Sequence, residues 1–121
     1  MLQRTITFQG MDSSPIIESH IHEKLNRIEE MLKDPKFNSP KYIEIFLKPN
    51  KQHTHHTVDL KLKTPQFDLF TTYEDPHMYK AIDGVIDKMV ALLRKEKDKL
   101  VDKKLKKENE KRAFEEDKYN L

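Results

Sequence analysis

Apolar and polar residues alternate along most of the chain with the period of either a strand or a helix. In residues 2–8 the apolar side chains Leu2, Ile6 and Phe8 share one side, with Arg4 as the exception. A period of two residues predicts a half-buried strand. Gly10 and Asp12 then interrupt the pattern.

The next segment is predicted to be a helix. Ser14 fits the N-cap and Pro15 the first helical position. Apolar residues then recur at helical spacing, and the pattern ends near Lys33, before Pro35. The apolar stripe consists of Ile17, Ile21, Leu25, Ile28 and Leu32.

Three further strands are predicted in succession. Residues 42–48 and 57–63 alternate with one buried side each, and the polar segment 49–53 separates them. Residues 67–73 form the last strand, after a turn at Pro65. Three consecutive strands of this kind favour an antiparallel meander. The inward-facing residues of the first two are Ile43, Ile45, Leu47, Val58, Leu60 and Leu62.

The last helix is the longest element, and its two sides differ in character. One face is apolar. On the flank of that face is a row of lysines that lie within about 40° of one another around the helix axis. Beyond Leu93, Glu96 interrupts the apolar face and Leu100 alone returns to it, so we expect the helix to project past the body. The apolar face consists of Met78, Ile82, Val85, Met89, Leu92 and Leu93, and the lysine row of Lys88, Lys95, Lys99 and Lys106.

The predicted element order is β-α-β-β-β-α, which indicates the α/β class. A four-stranded mixed sheet and two helices can bury all their apolar surfaces if both helices pack on one face of the sheet, as a two-layer sandwich. The first two strands should be parallel, joined by a right-handed crossover. Residues 1–105 are predicted to form one domain. Residues 106–121 are predicted to be a charged tail, either frayed helix or disordered, because they offer too little apolar surface to pack.

Charge is unevenly distributed along the 121 residues. The whole chain has a formal net charge of only +2, but residues 88–107 hold nine basic and three acidic side chains. This concentration on one helix is typical of nucleic-acid binders. A solvated lysine-rich helix gives the same count, so composition leaves both interpretations open.

Several classes of site are disfavoured by composition. The chain has no cysteine, which excludes disulfides and thiolate sites. Its two glycines, Gly10 and Gly84, cannot form a glycine-rich phosphate loop, and no serine stands in a nucleophile-elbow context, so we expect a protein without catalytic residues. The N-terminus lacks the pattern of a signal peptide and no apolar stretch could span a membrane, which predicts a soluble, cytoplasmic protein.

Two smaller features invite a functional interpretation. His53, His55 and His56 form a cluster near a turn, but without cysteine or a helical two-histidine spacing a polar hairpin end is favoured over a metal site. RNA contact is a third interpretation of this cluster. Gly84 lies inside a helix, where glycine costs up to about 1 kcal/mol relative to alanine. A close approach, either by a neighbouring element or by an RNA backbone, would offset that cost.

The first helix also carries basic residues beside its apolar stripe. His20, Lys24 and Arg27 fall within about 60° of one another. If the two helices lie side by side, these residues and the lysine row could border one basic surface. Each phosphate bound there would contribute through counterion release. Two ordinary solvated helix faces remain the alternative.

The last helix resembles a known family signature. The run from Met78 to Lys88, MYKAIDGVIDK, and the run RKEKDKL from Arg94 to Leu100 are similar to the second helix of the ribosome hibernation promoting factor family, also called ribosome-associated inhibitor or sigma-54 modulation proteins. The resemblance covers about residues 2–105 and is to the short form. It implies a translation inhibitor of stressed or stationary cells that occupies the messenger and transfer RNA channel of the small ribosomal subunit.

The resemblance also implies which residues bind ribosomal RNA. No cofactor, metal ion, small-molecule substrate or membrane is implied, and the protein is expected to be monomeric off the ribosome. Glu18 and Ala91 stand where relatives often carry a basic residue. His77 replaces a usual aspartate, so we expect Asp75 and Pro76 to cap the helix and start it slightly earlier. The implied RNA-binding residues are Lys24, Arg27, Lys88, Lys95, Lys97 and Lys99.

A second hypothesis belongs to a different functional class. The exposed end of the last helix could instead hold a protein partner, which would make the chain a regulatory protein-interaction module. Steep weakening of binding with rising salt would favour RNA contact, whereas salt-insensitive binding to a protein would favour this alternative.

Overall fold

The computed structural model describes residues 2–33, 40–50 and 55–119, with side chains described as far as Val101. Its elements follow the predicted order β-α-β-β-β-α. They are β1 (Leu2–Phe8), α1 (Pro15–Met31), β2 (Lys41–Lys48), β3 (His56–Lys63), β4 (Asp68–Asp75) and α2 (Met78–Tyr119).

The four strands form one mixed sheet in the order β1-β2-β3-β4. β1 and β2 are parallel, whereas β2–β3 and β3–β4 are antiparallel. The inward-facing residues of β2 and β3 are buried in one core with most of the apolar stripe of each helix, so the helices cover the same face of the sheet. The predicted two-layer α/β sandwich is therefore confirmed.

Arg4, the exception to the alternation in β1, reaches from the sheet to α1. Its Nη1 donates to the carbonyl oxygen of His22 at 3.0 Å, and its Nη2 donates to Asn26 Oδ1 at 2.8 Å and to Glu29 Oε2 at 2.9 Å. Because β1 is an edge strand, the guanidinium can sit on the helix side of the sheet with its donors satisfied.

α1 begins and ends close to where the sequence predicts. Ser14 is the N-cap, and its Oγ accepts a hydrogen bond from the backbone N–H of Ile17 at 3.3 Å. Pro15 occupies the first turn. The helix ends at Met31 with Leu32 as the C-cap, within two residues of the predicted end.

α2 begins at Met78, so the expectation of an earlier start is wrong. Asp75 is the last residue of β4, and its Oδ1 accepts the backbone N–H of His77 at 2.9 Å. The carbonyl of His77 then accepts the N–H of Ala81 at 2.9 Å, in the first turn. The backbone is helical as far as Tyr119, and the division into a domain and a tail near residue 105 stays a prediction.

The buried face of α2 is wider than the sequence pattern indicated. Ile86 and Val90 are buried as well, whereas Leu92 is only half-buried. The widening follows from the neighbours of α2, which packs on β3, β4 and α1 at once. A helix with contacts on three sides buries more than a single stripe.

Candidate nucleic-acid interface

The two helices lie side by side, and two polar contacts join them. His20 Nε2 lies 2.7 Å from Asp83 Oδ1, and Arg27 Nη1 donates to Asp87 Oδ1 at 2.6 Å. The residue numbers rise together along both helices, so α1 and α2 run parallel. The Arg27–Asp87 ion pair is exposed at both ends, with 54% and 63% of the side chains accessible. Its guanidinium is thus largely neutralised by its neighbour, although donors remain on it.

Lys97 of α2, like Arg27 of α1, lies where the two helices meet, and Lys24 lies on the same side of α1 as His20 and Arg27. Lys24 is half-buried and follows His20 by one turn of α1. The Nζ of Lys97 donates to the carbonyl oxygen of Met31 at 2.7 Å, in the last turn of α1. A lysine at this position also interacts favourably with the partial negative charge of the helix C-terminus.

Lys88 lies on the opposite side of α2. Nine residues separate it from Lys97, which corresponds to a rotation of about 180°. Its Nζ donates to the carbonyl oxygen of Thr72 in β4 at 2.9 Å, and it lies 5.8 Å from the centroid of the Tyr73 ring. The side of α2 that carries Lys88 therefore faces β4 and not α1.

Lys95 and Lys99 continue along the same side, within about 40° of Lys88 around the helix axis. We call Lys88, Lys95 and Lys99 together the lysine flank. Both Lys95 and Lys99 are exposed, and Lys99 Nζ lies 3.3 Å from Glu96 Oε1. At 1.5 Å per residue the flank is about 16 Å long, a length that matches two or three successive phosphates.

Lys95 and Lys99 also border a shallow hollow on the outer surface of α2. Its other lining residues are Ala91, Arg94 and Asp98. Arg94 is a basic residue that the resemblance-based set did not include, although it lies inside the RKEKDKL run. Ala91 is the small side chain in this lining.

The six predicted RNA-binding residues thus form two groups. In one group Arg27 is paired with Asp87 and Lys97 contacts the last turn of α1, whereas in the lysine flank Lys88 contacts β4. The outward side of α2 lies between the two groups, and the expected single basic surface shared by both helices stays a prediction. The first group consists of Lys24 and Arg27 of α1 and Lys97 of α2.

Other sequence features have local structural explanations. Glu18 lies in the first turn of α1, where a carboxylate is favoured by the helix dipole. A Cβ added to Gly84 would overlap the ring of Tyr73, with Cγ at 2.8 Å and Cδ1 and Cε1 closer still. Of the two close approaches considered for Gly84, the structure therefore shows the one by a neighbouring element.

The histidine cluster is only partly within the described chain. His53 lies outside the described residues, and His56 Nδ1 lies 3.4 Å from the backbone nitrogen of Asn50. Among the described side chains, no group of three or more histidine, cysteine or acidic residues is arranged to hold a metal ion. In the same part of the chain, no helix has both the length and the apolar character required to cross a membrane.

Comparison with known proteins finds one family model and several relatives. The model described as Sigma 54 modulation protein / S30EA ribosomal protein matches residues 5–101. Proteins named ribosome hibernation promoting factor from Klebsiella oxytoca and from Escherichia coli K12 are each 29% identical over 99 residues, which cover 82% of this chain and 97% of theirs.

Solved structures with the same fold are also found. A ribosomal subunit interface protein from Coxiella burnetii superposes with a TM-score of 0.65 at 28% identity, covering 80% of this chain and 98% of that one. The N-terminal domain of Protein Y from Thermus thermophilus gives a TM-score of 0.65 at 16% identity, covering 78% and 98%. The second likeness concerns the fold only.

Proposed function

The chain belongs to the Sigma 54 modulation protein / S30EA ribosomal protein family, and we infer from this that it binds ribosomes and promotes their hibernation. Relatives that bear the hibernation name match over nearly their whole length, and the Coxiella burnetii relative is titled a ribosomal subunit interface protein. Binding, without turnover, is then the protein's action.

The proposed site is the messenger and transfer RNA channel of the small subunit. A rigid body placed there would block initiation by steric exclusion. The observation that carries this proposal is the lysine flank, a set of cationic side chains on one regular helix of the fold. Ribosomal RNA presents phosphates at a spacing that such a row can contact, and each neutralised phosphate releases counterions.

The electrostatics of the two basic groups favour the lysine flank as the main contact. On the side of α2 next to α1, the carboxylate of Asp87 is paired with Arg27 and that of Asp83 lies beside His20. Those carboxylates would repel phosphates. On the lysine flank, Glu96 contacts Lys99 but the ammonium groups of Lys88 and Lys95 are bound to no carboxylate among the described residues.

Binding to purified small subunits at rising salt tests this function. Three phosphate contacts predict that affinity falls roughly 20- to 40-fold between 50 and 200 mM monovalent salt. The triple change Lys88→Glu, Lys95→Glu and Lys99→Glu is expected to leave the fold intact and to abolish inhibition of cell-free translation. Retained inhibition would remove the lysine flank from the mechanism.

A second candidate function rests on a different observation. Leu100 and Val101 follow Leu93, the last buried residue of the described α2 side chains, and they are 38% and 51% exposed. Exposed apolar residues beyond the last buried turn of a helix suit a protein partner. A regulatory protein-interaction module would bind that partner with little dependence on salt and would be weakened by Leu100→Ser and Val101→Ser.

A further inference from the structure

The ring of Tyr73 occupies an unusual position against α2. Tyr73 projects from β4 towards the helix layer, is half-buried, and packs against the core. Its ring approaches the helix backbone so closely at Gly84 that no Cβ could be accommodated there. Glycine is disfavoured in a helix interior, but at this position it leaves the space that the ring occupies.

Lys88 lies one helical turn after Gly84, on the same side of α2. Its ammonium nitrogen is 5.8 Å from the centroid of the Tyr73 ring and donates a hydrogen bond of 2.9 Å to the carbonyl oxygen of Thr72. The end of a flexible side chain is thus held at two points, both in β4. An ammonium has three N–H donors, so two remain for a further acceptor.

We propose that Tyr73 is a positioning residue for ribosome binding, with its ring, admitted by Gly84, holding the Lys88 ammonium in place for a phosphate. This inference rests on the proposed function. A lysine that is ordered before binding loses less side-chain freedom when it contacts RNA. Among the described members of the lysine flank, Lys88 is the one with a ring beneath it, so it serves as the fixed point of the row.

A double-mutant cycle on small-subunit binding tests the proposal. Tyr73→Leu is expected to weaken binding about two- to fivefold, the loss typical of an exposed cation–π contact, while Tyr73→Phe retains wild-type affinity. In a Lys88→Ala background, Tyr73→Leu should have no further effect, because the ring acts through Lys88. In a Lys99→Ala background, which serves as the matched control, Tyr73→Leu should still weaken binding by the full factor.

The salt dependence separates positioning from loss of charge. Tyr73→Leu leaves all lysines charged, so the slope of log affinity against log salt should stay unchanged, whereas Lys88→Ala should reduce it by about 0.7 to 0.9. Thermal unfolding of each variant establishes that it is folded. If Tyr73→Leu unfolds, Gly84→Ala provides the same test, since it displaces the ring while Tyr73 and Lys88 remain.

Two results would overturn the proposal. An equal loss from Tyr73→Leu in the wild-type and Lys88→Ala backgrounds would mean that the ring acts by packing alone. Unchanged affinity and salt slope in Lys88→Ala would mean that Lys88 only links α2 to β4. Neither result decides the proposed function, which is judged separately by charge reversal of Lys95 and Lys99 in the presence of an intact Tyr73.

Discussion

Asp59 shows how one side chain on the open face of the sheet is stabilised in its charged form. It receives hydrogen bonds from Lys48 Nζ at 2.6 Å and from Thr72 Oγ1 at 2.7 Å. Burial by itself would raise the pKa of Asp59, but these hydrogen bonds and the charges of Lys48 and Lys61 outweigh it. The pKa of Asp59 is therefore below its usual value.

Asp59→Asn is expected to lower the free energy of unfolding at pH 7 by about 1–3 kcal/mol. Because the pKa of Asp59 is lower in the folded state, its stabilising contribution is present above about pH 4, the unfolded pKa, and is lost as the pH falls through the folded pKa. Urea denaturation at a series of pH values measures this. A wild-type to variant difference that is constant down to pH 2 would contradict the account, and exposed Asp68→Asn is the control.

Gly84→Ala sets two opposing effects against each other. Alanine improves helix propensity by about 1 kcal/mol. The added methyl group overlaps the Tyr73 ring near its attachment, where little movement is possible, and overpacking of this kind costs about 1–3 kcal/mol. We expect a net loss of stability in thermal denaturation, while exposed Lys80→Ala stays near wild type. A Gly84→Ala protein more stable than wild type would show that the ring moves freely.

The elements themselves follow from local patterns. Period-two and helical spacing predicted all four strands and both helices, and Ser14 identified the start of α1 because a cap uses only neighbouring residues. The same local reasoning places the start of α2 too early. Asp75 is paired with His56 in the sheet and therefore remains in β4.

The arrangement of the two basic groups could not be predicted from either helix alone. A helical wheel shows that the three lysines of the flank lie within an arc of about 40° around the axis of α2. It does not say which neighbouring element lies on each side of the helix. That depends on strand order, which sets α2 between α1 and the edge strand β4. The contact of Lys97 with α1 could not be predicted for the same reason, because its acceptor is the Met31 carbonyl, 66 residues earlier.

The ion pair between the helices predicts a small energetic role for Arg27 in folding. Because both side chains are more than half exposed, a double-mutant cycle with Arg27→Ala and Asp87→Ala should give a coupling of about 0.2–1 kcal/mol, smaller at high salt. Chemical denaturation at two salt concentrations measures it. A coupling well above this range would make Arg27 a residue that holds the helices together.

The charges of the whole molecule imply an orientation on the ribosome. The lysine flank lies in the helix layer, whereas the open face of the sheet mixes lysines with carboxylates such as Glu44, Asp59 and Asp68. We therefore expect the helix layer, and within it the side of α2 next to β4, to face ribosomal RNA.

The most direct test of the account compares two double charge reversals with the same change in net charge. Lys95→Glu with Lys99→Glu alters the lysine flank but spares the Lys88 contacts, and Lys33→Glu with Lys63→Glu alters exposed lysines elsewhere. Affinity for small subunits is measured by co-sedimentation at several salt concentrations between 50 and 200 mM.

The flank variant should lose affinity at least tenfold, with the salt slope reduced by about 1.4 to 1.8, while the control variant stays within about twofold of wild type. Equal losses in both variants would attribute binding to net charge alone. Wild-type affinity in the flank variant would contradict the claim that the lysine flank of α2 binds the ribosome.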